Sequence, residues 1–295
     1  MSVPSLAAAR PPVIDLHTHS TVSDGTDSPA ELVAAAAAAG LDVMGLTDHD
    51  TFDGLAEAEE AGRRLGVEVL AGAEISTTLD GVTVHLLAYG CDTTDEPLLT
   101  ELARLRGSRH ERLARSLERL AALGMPLTAD EVMAQVGRSP SLGRPHLADA
   151  LVAKGYVADR TEAFERFLHD GGPAYVERYS TPLPDALRLV RGARGVAVIA
   201  HPWGRGSRRV LTEDVIASLV ADGLDGLEAA HTDHDAEAEE RLARLAAGLG
   251  LLATGSSDHH GTGKRDNALG VRTTSPEVYG ALVDLIRARG GRLPV

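Results

Sequence analysis

The sequence of 295 residues contains a single cysteine, Cys91, and no apolar run long enough to cross a membrane. One cysteine excludes an intrachain disulfide and a metal site built from thiolates, and this composition is typical of proteins in a reducing compartment. Residues 1 to 12 have neither the cationic start nor the apolar core of a secretion signal. We therefore expect a cytoplasmic protein with a disordered tail at residues 1 to 12.

Basic residues are in the minority, because 43 acidic side chains outnumber 29 lysines and arginines and give a net charge of -14. A surface with this charge does not favour extended duplex nucleic acid or anionic membranes. We expect neither of these as a partner, and no obligate protein partner is indicated. Any local cluster of basic side chains is therefore informative.

Apolar runs and helical patterns alternate in both halves of the chain, which predicts an α/β fold with parallel strands. Ser28, Pro29 and Glu31 combine an N-cap, a proline at the first helical position and a capping box. The predicted strands are residues 13–16, 41–46, 67–71, 195–200, 224–229 and 251–255. The predicted helices begin near Pro29, Phe52, Leu183, Thr212 and Asp235.

Two alternating runs, residues 73–78 and 82–88, are joined by Asp80-Gly81, a favoured two-residue hairpin turn. Pairing Leu79 with Val82 sets Ser76 opposite His85. Glu74 then lies on the same face as His85 at the diagonal position, within roughly 7 to 8 Å. One metal ion could bind both side chains.

Strand patterns are absent between residues 96 and 182, where helical patterns separated by glycines replace them. This change of pattern predicts a helical insertion of residues 96–182 between two parts of the α/β unit, residues 13–95 and 183–295.

Histidines and carboxylates are concentrated where the predicted strands end. His17 and His19 lie on one face of the first strand and could bind the same ion. The C-terminal ends of strands in a closed β/α architecture meet at one rim, where the active site lies. Mixed imidazole and carboxylate ligands suit Mn²⁺, Zn²⁺ or Fe²⁺. The full set is too large for one ion and favours two or three: His17, His19, Asp24, Asp48, His49, Asp50, Glu74, His85, His201, Asp258, His259 and His260.

The sequence resembles the polymerase and histidinol phosphatase (PHP) family of phosphoesterases, because its motifs occur in the family's order over nearly the whole chain. The matching segments are Asp15-Leu16-His17-Thr18-His19-Ser20, Ser23-Asp24-Gly25, Thr47-Asp48-His49-Asp50, Gly72-Ala73-Glu74, Val84-His85, Ala200-His201-Pro202 and Ser257-Asp258-His259-His260.

The resemblance implies a distorted (β/α)7 barrel with a trinuclear metal site, in which Mn²⁺ is the first expectation and Zn²⁺ or Fe²⁺ the alternatives. Glu74 would bridge the first two ions. Asp48 and Asp50 would orient ligands rather than bind ions. The three implied ligand sets are His17, His19, Glu74 and Asp258; Glu74, His85 and His201; and Asp24, His49 and His260.

The last motif departs from the family pattern, because His259 stands where an aromatic residue is common. Two adjacent imidazoles could therefore serve as the ligand. We favour His260 over His259, since Asp258 and a residue two positions later share a face if the segment is extended.

The predicted helix at residues 100–123 carries six arginines, most of them suited to a solvated face. Arg106 and Arg109 instead fall within the stripe of leucines and need an anionic partner, either an internal carboxylate or a substrate phosphate. Two segments, 144–148 and 172–176, resemble the family branch that acts on nucleoside 3',5'-bisphosphates and on 5' ends of short RNA. That resemblance implies that Arg106, Arg109 and Arg144 hold a second phosphate.

These observations predict a phosphoesterase that removes a phosphate from nucleoside 3',5'-bisphosphates and also acts on 5'-phosphorylated short RNA, by attack of a hydroxide that the ions generate. Catalytic roles are expected for His201, His49 and Asp24. The proton donor to the leaving group stays open among His201, His49 and a metal-bound water.

Two alternatives remain. A histidinol-phosphate phosphatase would give the inward arginines no second phosphate to bind, and a non-catalytic metal-bound module would be expected to lack ligands. No role is assigned to four further histidines, and packing is as plausible as base stacking for Trp203. These histidines are His110, His169, His231 and His234.

Overall fold

The computed structural model describes residues 10–136, 144–169, 171–176, 179–263 and 267–295, with the backbone alone at residues 109, 110, 136 and 145. Residues 1–9 of the predicted tail and the Arg109 and His110 side chains lie outside this description. Arg10 is described, and its guanidinium donates to the Asp42 carboxylate at 2.7 Å.

The centre of the molecule is a barrel-shaped sheet. Seven strands follow one path in the order β1-β2-β3-β4-β6-β7-β8, and the short β5 pairs with β3. The strands are β1 (Ile14–Thr18), β2 (Val43–Leu46), β3 (Glu68–Leu79), β4 (Val82–Tyr89), β5 (Thr181–Pro182), β6 (Val196–Ile199), β7 (Gly226–Ala230) and β8 (Leu252–Gly255).

The two ends of this sheet meet beyond β8. A parallel bridge joins Thr18 to His259, and the His19 amide donates to the His259 carbonyl at 2.8 Å. Strand β4 runs antiparallel to both of its neighbours, whereas the pairs β1–β2, β2–β3, β6–β7 and β7–β8 are parallel. This arrangement confirms the distorted (β/α)7 barrel expected from the sequence.

The helices are α1 (Pro29–Ala38), α2 (Leu55–Leu65), α3 (Glu96–Ala122), α4 (Ala129–Val136), α5 (Arg144–Ala153), α6 (Arg160–Ala163), α7 (Leu183–Gly192), α8 (Glu213–Asp222), α9 (Ala236–Leu249) and α10 (Pro276–Arg289). The predicted capping box of α1 is confirmed, because the Ser28 side chain accepts from the Glu31 amide and the Glu31 carboxylate accepts from the Ser28 amide. Helix α10, which packs Leu282 and Ile286 against the barrel, was not predicted.

The β3–β4 hairpin has the predicted register. Leu79 pairs with Val82 and Ser76 pairs with His85. Asp80 and Gly81 form the turn with φ values of 48° and 76°, the left-handed conformation that a tight hairpin turn requires. Glu74 and His85 therefore project from one face of the hairpin.

Helices α3 to α6 and a π-helical turn at Phe164–Leu168 form the segment predicted as an insertion. The leucine stripe of α3 is buried at Leu102, Leu105 and Leu120 and half-buried at Leu113 and Leu117, and it contacts two separate cores. Leu98, Leu102 and Leu105 pack in the barrel core, whereas Leu120 packs in a second core with residues between Met125 and Ala174. Helix α3 thus contacts both the barrel and the second core, and we call α3 to α6 with the π-helical turn the cap.

None of the helices in the described part of the chain combines the length and the apolar character that a membrane span requires.

Candidate metal centre

Most of the predicted ligands converge at one rim of the barrel because each lies within or just beyond a strand. His17 belongs to β1, Glu74 to β3 and His85 to β4, while His201 follows β6 and Asp258 follows β8. His49 follows β2 and pairs with Glu74 through a parallel bridge. Loops and strands from both halves of the sequence therefore meet at this rim.

The first group of converging atoms surrounds one oxygen of Glu74. The Nε2 atoms of His17 and His19 lie 3.0 Å apart. They lie 3.3 and 3.2 Å from Glu74 Oε2, and 3.3 and 3.2 Å from Asp258 Oδ1. All four side chains are buried. They are the four residues that the resemblance assigns to the first ion.

A second group surrounds Glu74 Oε1. His85 Nδ1 lies 2.7 Å from this oxygen and His201 Nε2 lies 3.3 Å from it. His49 Nδ1 lies 3.1 Å from the other oxygen, Oε2. The compact group around this carboxylate consists of His49, Glu74 and His85. The resemblance assigns His49 to the third ion, but its ring also contacts Glu74 of the second set.

The third group forms around Asp24. His260 Nε2 lies 3.3 Å from Asp24 Oδ1, and His49 Nε2 lies 3.3 Å from Asp24 Oδ2. His19 Nδ1 approaches Asp24 Oδ1 at 3.5 Å and joins this group to the first. Ligand atoms that all lie within 4.8 Å of one another come from three sets: His17, His19, Glu74 and Asp258; His49, Glu74 and His85; and His19, Asp24, His49 and His260.

The structure distinguishes the two adjacent histidines of the last motif. His260 lies in the third group, whereas the His259 ring bonds through Nδ1 to the Asn267 carbonyl at 2.7 Å. The expected reason was wrong, because Asp258 has φ of 53° and the segment is not extended. The left-handed residue reverses the chain locally, and His260 approaches Asp24 from this turn.

Two buried ring nitrogens provide a test of whether these residues fit a metal. Nδ1 of His49 and Nδ1 of His85 have no hydrogen-bond partner within the described part of the chain, although Glu74 oxygens lie 3.1 and 2.7 Å away. Nitrogen and oxygen lone pairs that converge at this distance without hydrogen-bond alignment fit a shared cation. The mixed imidazole and carboxylate donors suit Mn²⁺, Zn²⁺ or Fe²⁺. The residues therefore fit divalent metal ions.

The electrostatics of the rim also favour cations. Burial acts to lower the pKa of His17, but the carboxylates of Glu228, Asp258 and Glu74 raise it well above the usual value. Burial acts to raise the pKa of Glu74, yet the imidazoles of His85, His49 and His17 hold it well below the usual range. The carboxylates are thus ionised and require positive charge. Metal ions can supply that charge in place of protons.

Carboxylates behind the rim hold the ligand-bearing loops. Asp48 accepts from the Ser20 amide at 2.8 Å, from the Ser20 hydroxyl at 2.6 Å and from the Ser23 hydroxyl at 2.6 Å. Asp50 accepts from the Ser76 amide at 2.7 Å and its hydroxyl at 2.9 Å. Asp48 and Asp50 therefore fix the chain beside His19, Asp24 and Glu74, in keeping with the orienting role expected from the sequence.

Three residues at the rim were not predicted as part of the site. Glu228, at the centre of β7, is 2.9 Å from His17 Nδ1 and accepts from the His201 amide at 2.8 Å. Arg205 donates to Asp258 Oδ2 at 2.5 Å and to Asp233 Oδ2 at 2.7 Å. His231 is buried, with its Nε2 3.7 Å from Asp258 Oδ2. A carboxylate in the middle of an apolar strand was the available sequence signal for Glu228.

A cavity of about 930 Å³ opens beside the rim, between the barrel and the cap. His85 and His201 line its inner end. Its wall also carries six arginines, an unusual concentration of positive charge in a protein of net charge -14: Arg112, Arg115, Arg119, Arg144, Arg205 and Arg209.

The predicted substrate arginines differ in their positions. Arg144 lines the cavity. Arg106 donates through Nη1 to the Asp50 carbonyl at 2.6 Å, beside the metal-ligand groups, and the Arg109 side chain lies outside the described residues. Arg115 and Arg119 are exposed, as the sequence pattern predicted, and together with the half-buried Arg112 they also line the cavity. Helical periodicity predicts where these arginines lie relative to the leucine stripe, but it does not predict that the cap covers the rim.

Trp203 has a structural position. Its indole N–H donates to the Leu211 carbonyl at 2.9 Å, and its ring lies near the guanidinium groups of Arg208 and Arg241. His234, left without a role, accepts from the Trp203 amide at 3.2 Å and thereby supports the loop after His201.

A β/α barrel whose rim gathers imidazoles and carboxylates defines a metal-dependent hydrolase. Comparison with known proteins makes this class more specific. The PHP domain model matches residues 15–123. The chain is 36% identical over 265 residues to the 3',5'-nucleoside bisphosphate phosphatase of Chromobacterium violaceum, an alignment that covers 90% of this chain and 93% of that protein.

Two further similarities extend over most of the chain. It is 35% identical over 246 residues to a 5'-3' exoribonuclease of Haemophilus influenzae, covering 83% of this chain and 89% of that protein. A solved Bifidobacterium adolescentis protein classed as a metal-dependent phosphoesterase superposes with a TM-score of 0.81 at 38% identity, covering 94% and 98% of the two chains. The chain belongs to the PHP family of metal-dependent phosphoesterases.

Proposed function

We propose that this phosphoesterase hydrolyses the phosphate monoester of nucleoside 3',5'-bisphosphates and also acts on 5'-phosphorylated short oligoribonucleotides. The observation that carries the proposal is the arginine-lined cavity, which adjoins the candidate metal groups through His85 and His201. A substrate with one phosphate at the rim has its second anionic group beside these guanidinium groups, which bind phosphate through paired hydrogen bonds. The names of the two bacterial relatives support the same substrate class.

The metal ions of the proposed site are two or three in number, with Mn²⁺ as the first expectation. His17, His19, Glu74 and Asp258 would hold the first, Glu74, His85 and His201 the second, and Asp24, His49 and His260 the third. Such ions lower the pKa of bound water and stabilise phosphoryl oxygens when they are present. Glu74 suits a bridging position because its two oxygens face different histidines.

The chain's own side chains perform the remaining tasks. Arg144 and its neighbours on the cavity wall bind the second phosphate and orient the nucleoside. Arg106 and Arg109, on the same helix as Arg112, Arg115 and Arg119, are assigned to the same phosphate. The proton donor to the leaving group stays open among His201, which lines the cavity, His49, whose side chain is 10% exposed, and a metal-bound water. Asp24 holds His49 and His260 in place.

The cavity disfavours the histidinol-phosphate alternative, because that substrate's cationic groups would meet arginines of like charge. The non-catalytic alternative predicts missing ligands, whereas all nine proposed ligand side chains are present in the sequence. We further infer that the enzyme works in the cytoplasm on small nucleotides without an obligate protein partner. The single, buried Cys91 thiol supports a reducing compartment.

Phosphate release tests the proposal directly. Metal-free protein is reconstituted separately with Mn²⁺, Zn²⁺ and Fe²⁺, then given adenosine 3',5'-bisphosphate, AMP, histidinol phosphate and a 5'-phosphorylated oligoribonucleotide. We expect the highest kcat/KM for the bisphosphate with Mn²⁺, and loss of all activity in His17→Ala. Release from histidinol phosphate alone would overturn the substrate assignment, and release from none of the substrates would favour the non-catalytic module.

A further inference from the structure

Glu228 is a carboxylate inside the barrel for which the proposed mechanism has no task. It lies in the middle of β7, fully buried, and pairs across the sheet with Thr254 of β8. A carboxylate at this depth requires hydrogen-bond donors for both of its oxygens.

One oxygen of Glu228 determines how His17 is presented to the metal groups. Oε1 lies 2.9 Å from His17 Nδ1, and a carboxylate acceptor at this distance requires the proton to be on Nδ1. The Nε2 lone pair of His17 is then free to face Glu74 and Asp258, each 3.3 Å away. Glu228 thus selects the imidazole tautomer that can bind a cation.

The other oxygen holds a different part of the rim. Oε2 accepts from the backbone amide of His201 at 2.8 Å. His201 has φ of 29°, a conformation that a non-glycine residue adopts only when its surroundings impose it. With the amide held in this way, His201 Nε2 lies 3.3 Å from Glu74 Oε1. Glu228 therefore supports a ligand on the opposite side of the bridging carboxylate from His17.

We propose that Glu228 is a positioning residue that couples two of the metal sites, by holding His17 for one ion and His201 for another. This inference rests on the proposed metal centre, although not on which phosphoester is the substrate. Carboxylates that accept from a ligating histidine fix its orientation and raise its basicity, and their loss typically weakens metal binding by about 10- to 100-fold. A coupling residue predicts that the affinities of both ions fall together when it is changed.

The test is Mn²⁺ titration of metal-free protein by calorimetry, without substrate. Glu228→Gln keeps the size of the side chain, but its amide group cannot accept from both N–H donors. We expect about 10- to 100-fold weaker binding at two sites, with native circular dichroism. Wild-type affinity at both sites in a folded Glu228→Gln protein would overturn the proposal, and weakening at one site alone would overturn the coupling.

Glu59→Gln is the matched control. Glu59 is another buried glutamate, but it pairs with Arg292 at 2.6 Å and is not part of the candidate metal groups. A purely structural role for Glu228 predicts that both variants lose thermal stability and retain wild-type affinity for Mn²⁺. The coupling role predicts weakened binding in Glu228→Gln alone.

Glu228→Asp is the second variant, and it decides the question if Glu228→Gln does not fold. It keeps the charge but shortens the side chain by one methylene, so it cannot reach His17 and His201 together. We expect an affinity for Mn²⁺ between those of wild type and the glutamine variant, whereas wild-type affinity would overturn the proposal. In steady-state assays, kcat should fall without a change in KM, because Glu228 is not among the residues that line the cavity.

Discussion

The metal-ligand groups at the rim and two arginines on the cavity wall, Arg115 and Arg119, hold their side chains in opposite ways. At the rim, His17, His19, Glu74 and Asp258 are buried, and neighbouring carboxylates and backbone groups fix their orientation. On the wall, Arg115 and Arg119 are exposed and extend from a helix on long, flexible stems. The rim is suited to chemistry that requires fixed geometry, whereas the wall is suited to attracting charge.

We therefore assign hydrolysis to the rim and the preference between substrates to the wall. Changes at the rim should abolish hydrolysis of every substrate, because each substrate needs the same metal centre. Changes on the wall should alter the preference between substrates, because only a second phosphate needs the additional positive charge.

The largest effect is expected for Glu74→Gln at the rim. Glu74 contacts His17, His19, His49, His85 and His201, and its neutral replacement removes the charge between the proposed ions. We expect kcat to fall on the order of 10³-fold for the bisphosphate and for AMP alike, as the loss of several kcal/mol of transition-state stabilisation would require. Steady-state phosphate release measures both rates. A loss confined to one substrate would show that the two substrates do not depend on the same metal centre.

A smaller and selective effect is expected for Arg144→Ala on the wall. A charge-assisted hydrogen bond to phosphate contributes about 1.5 to 3 kcal/mol, so kcat/KM for adenosine 3',5'-bisphosphate should fall about 10- to 100-fold. The value for AMP should fall much less. Arg63→Ala is the control, because Arg63 pairs with Glu60 on the surface of α2. An equal loss for both substrates would assign Arg144 to the reaction centre instead.

The smallest effect is expected from salt. Raising the ionic strength from about 0.1 M to 1 M shortens the screening length from about 10 Å to 3 Å, which weakens exposed charges far more than buried ones. KM for the bisphosphate should therefore rise several-fold while kcat stays constant, in assays with saturating Mn²⁺. A fall in kcat with constant KM would show that salt acts on the rim rather than on the wall.

The two regions also differ in how far they can be predicted from the sequence. The ligands at the rim could be predicted because local rules determine their positions. Alternation places His17 and His19 on one face, and the Asp80-Gly81 turn sets the register that brings Glu74 to His85. The location of His201 and Asp258 follows from the ends of parallel strands. Backbone conformation limited this approach at Asp258, whose positive φ no extended pattern would predict.

The arginines on the wall were harder to predict from the sequence, because the position of a helix on the surface depends on tertiary packing. The leucines of α3 indicated which face is buried, but they could not show that Arg112, Arg115 and Arg119 would face a cavity formed with the β3–β4 hairpin. Helix α10 was missed for a related reason. It buries only Leu282 and Ile286, too narrow a stripe to produce a strong periodic pattern.

The most direct test of the division between rim and wall is a crystal structure of the wild-type protein with Mn²⁺ and a non-hydrolysable analogue of adenosine 3',5'-bisphosphate, with anomalous scattering recorded at the manganese edge. We predict manganese peaks among the rim ligands, one phosphate beside them, and the second phosphate within hydrogen-bond distance of Arg144. A second phosphate directed to solvent, with the cavity arginines unengaged, would contradict the account.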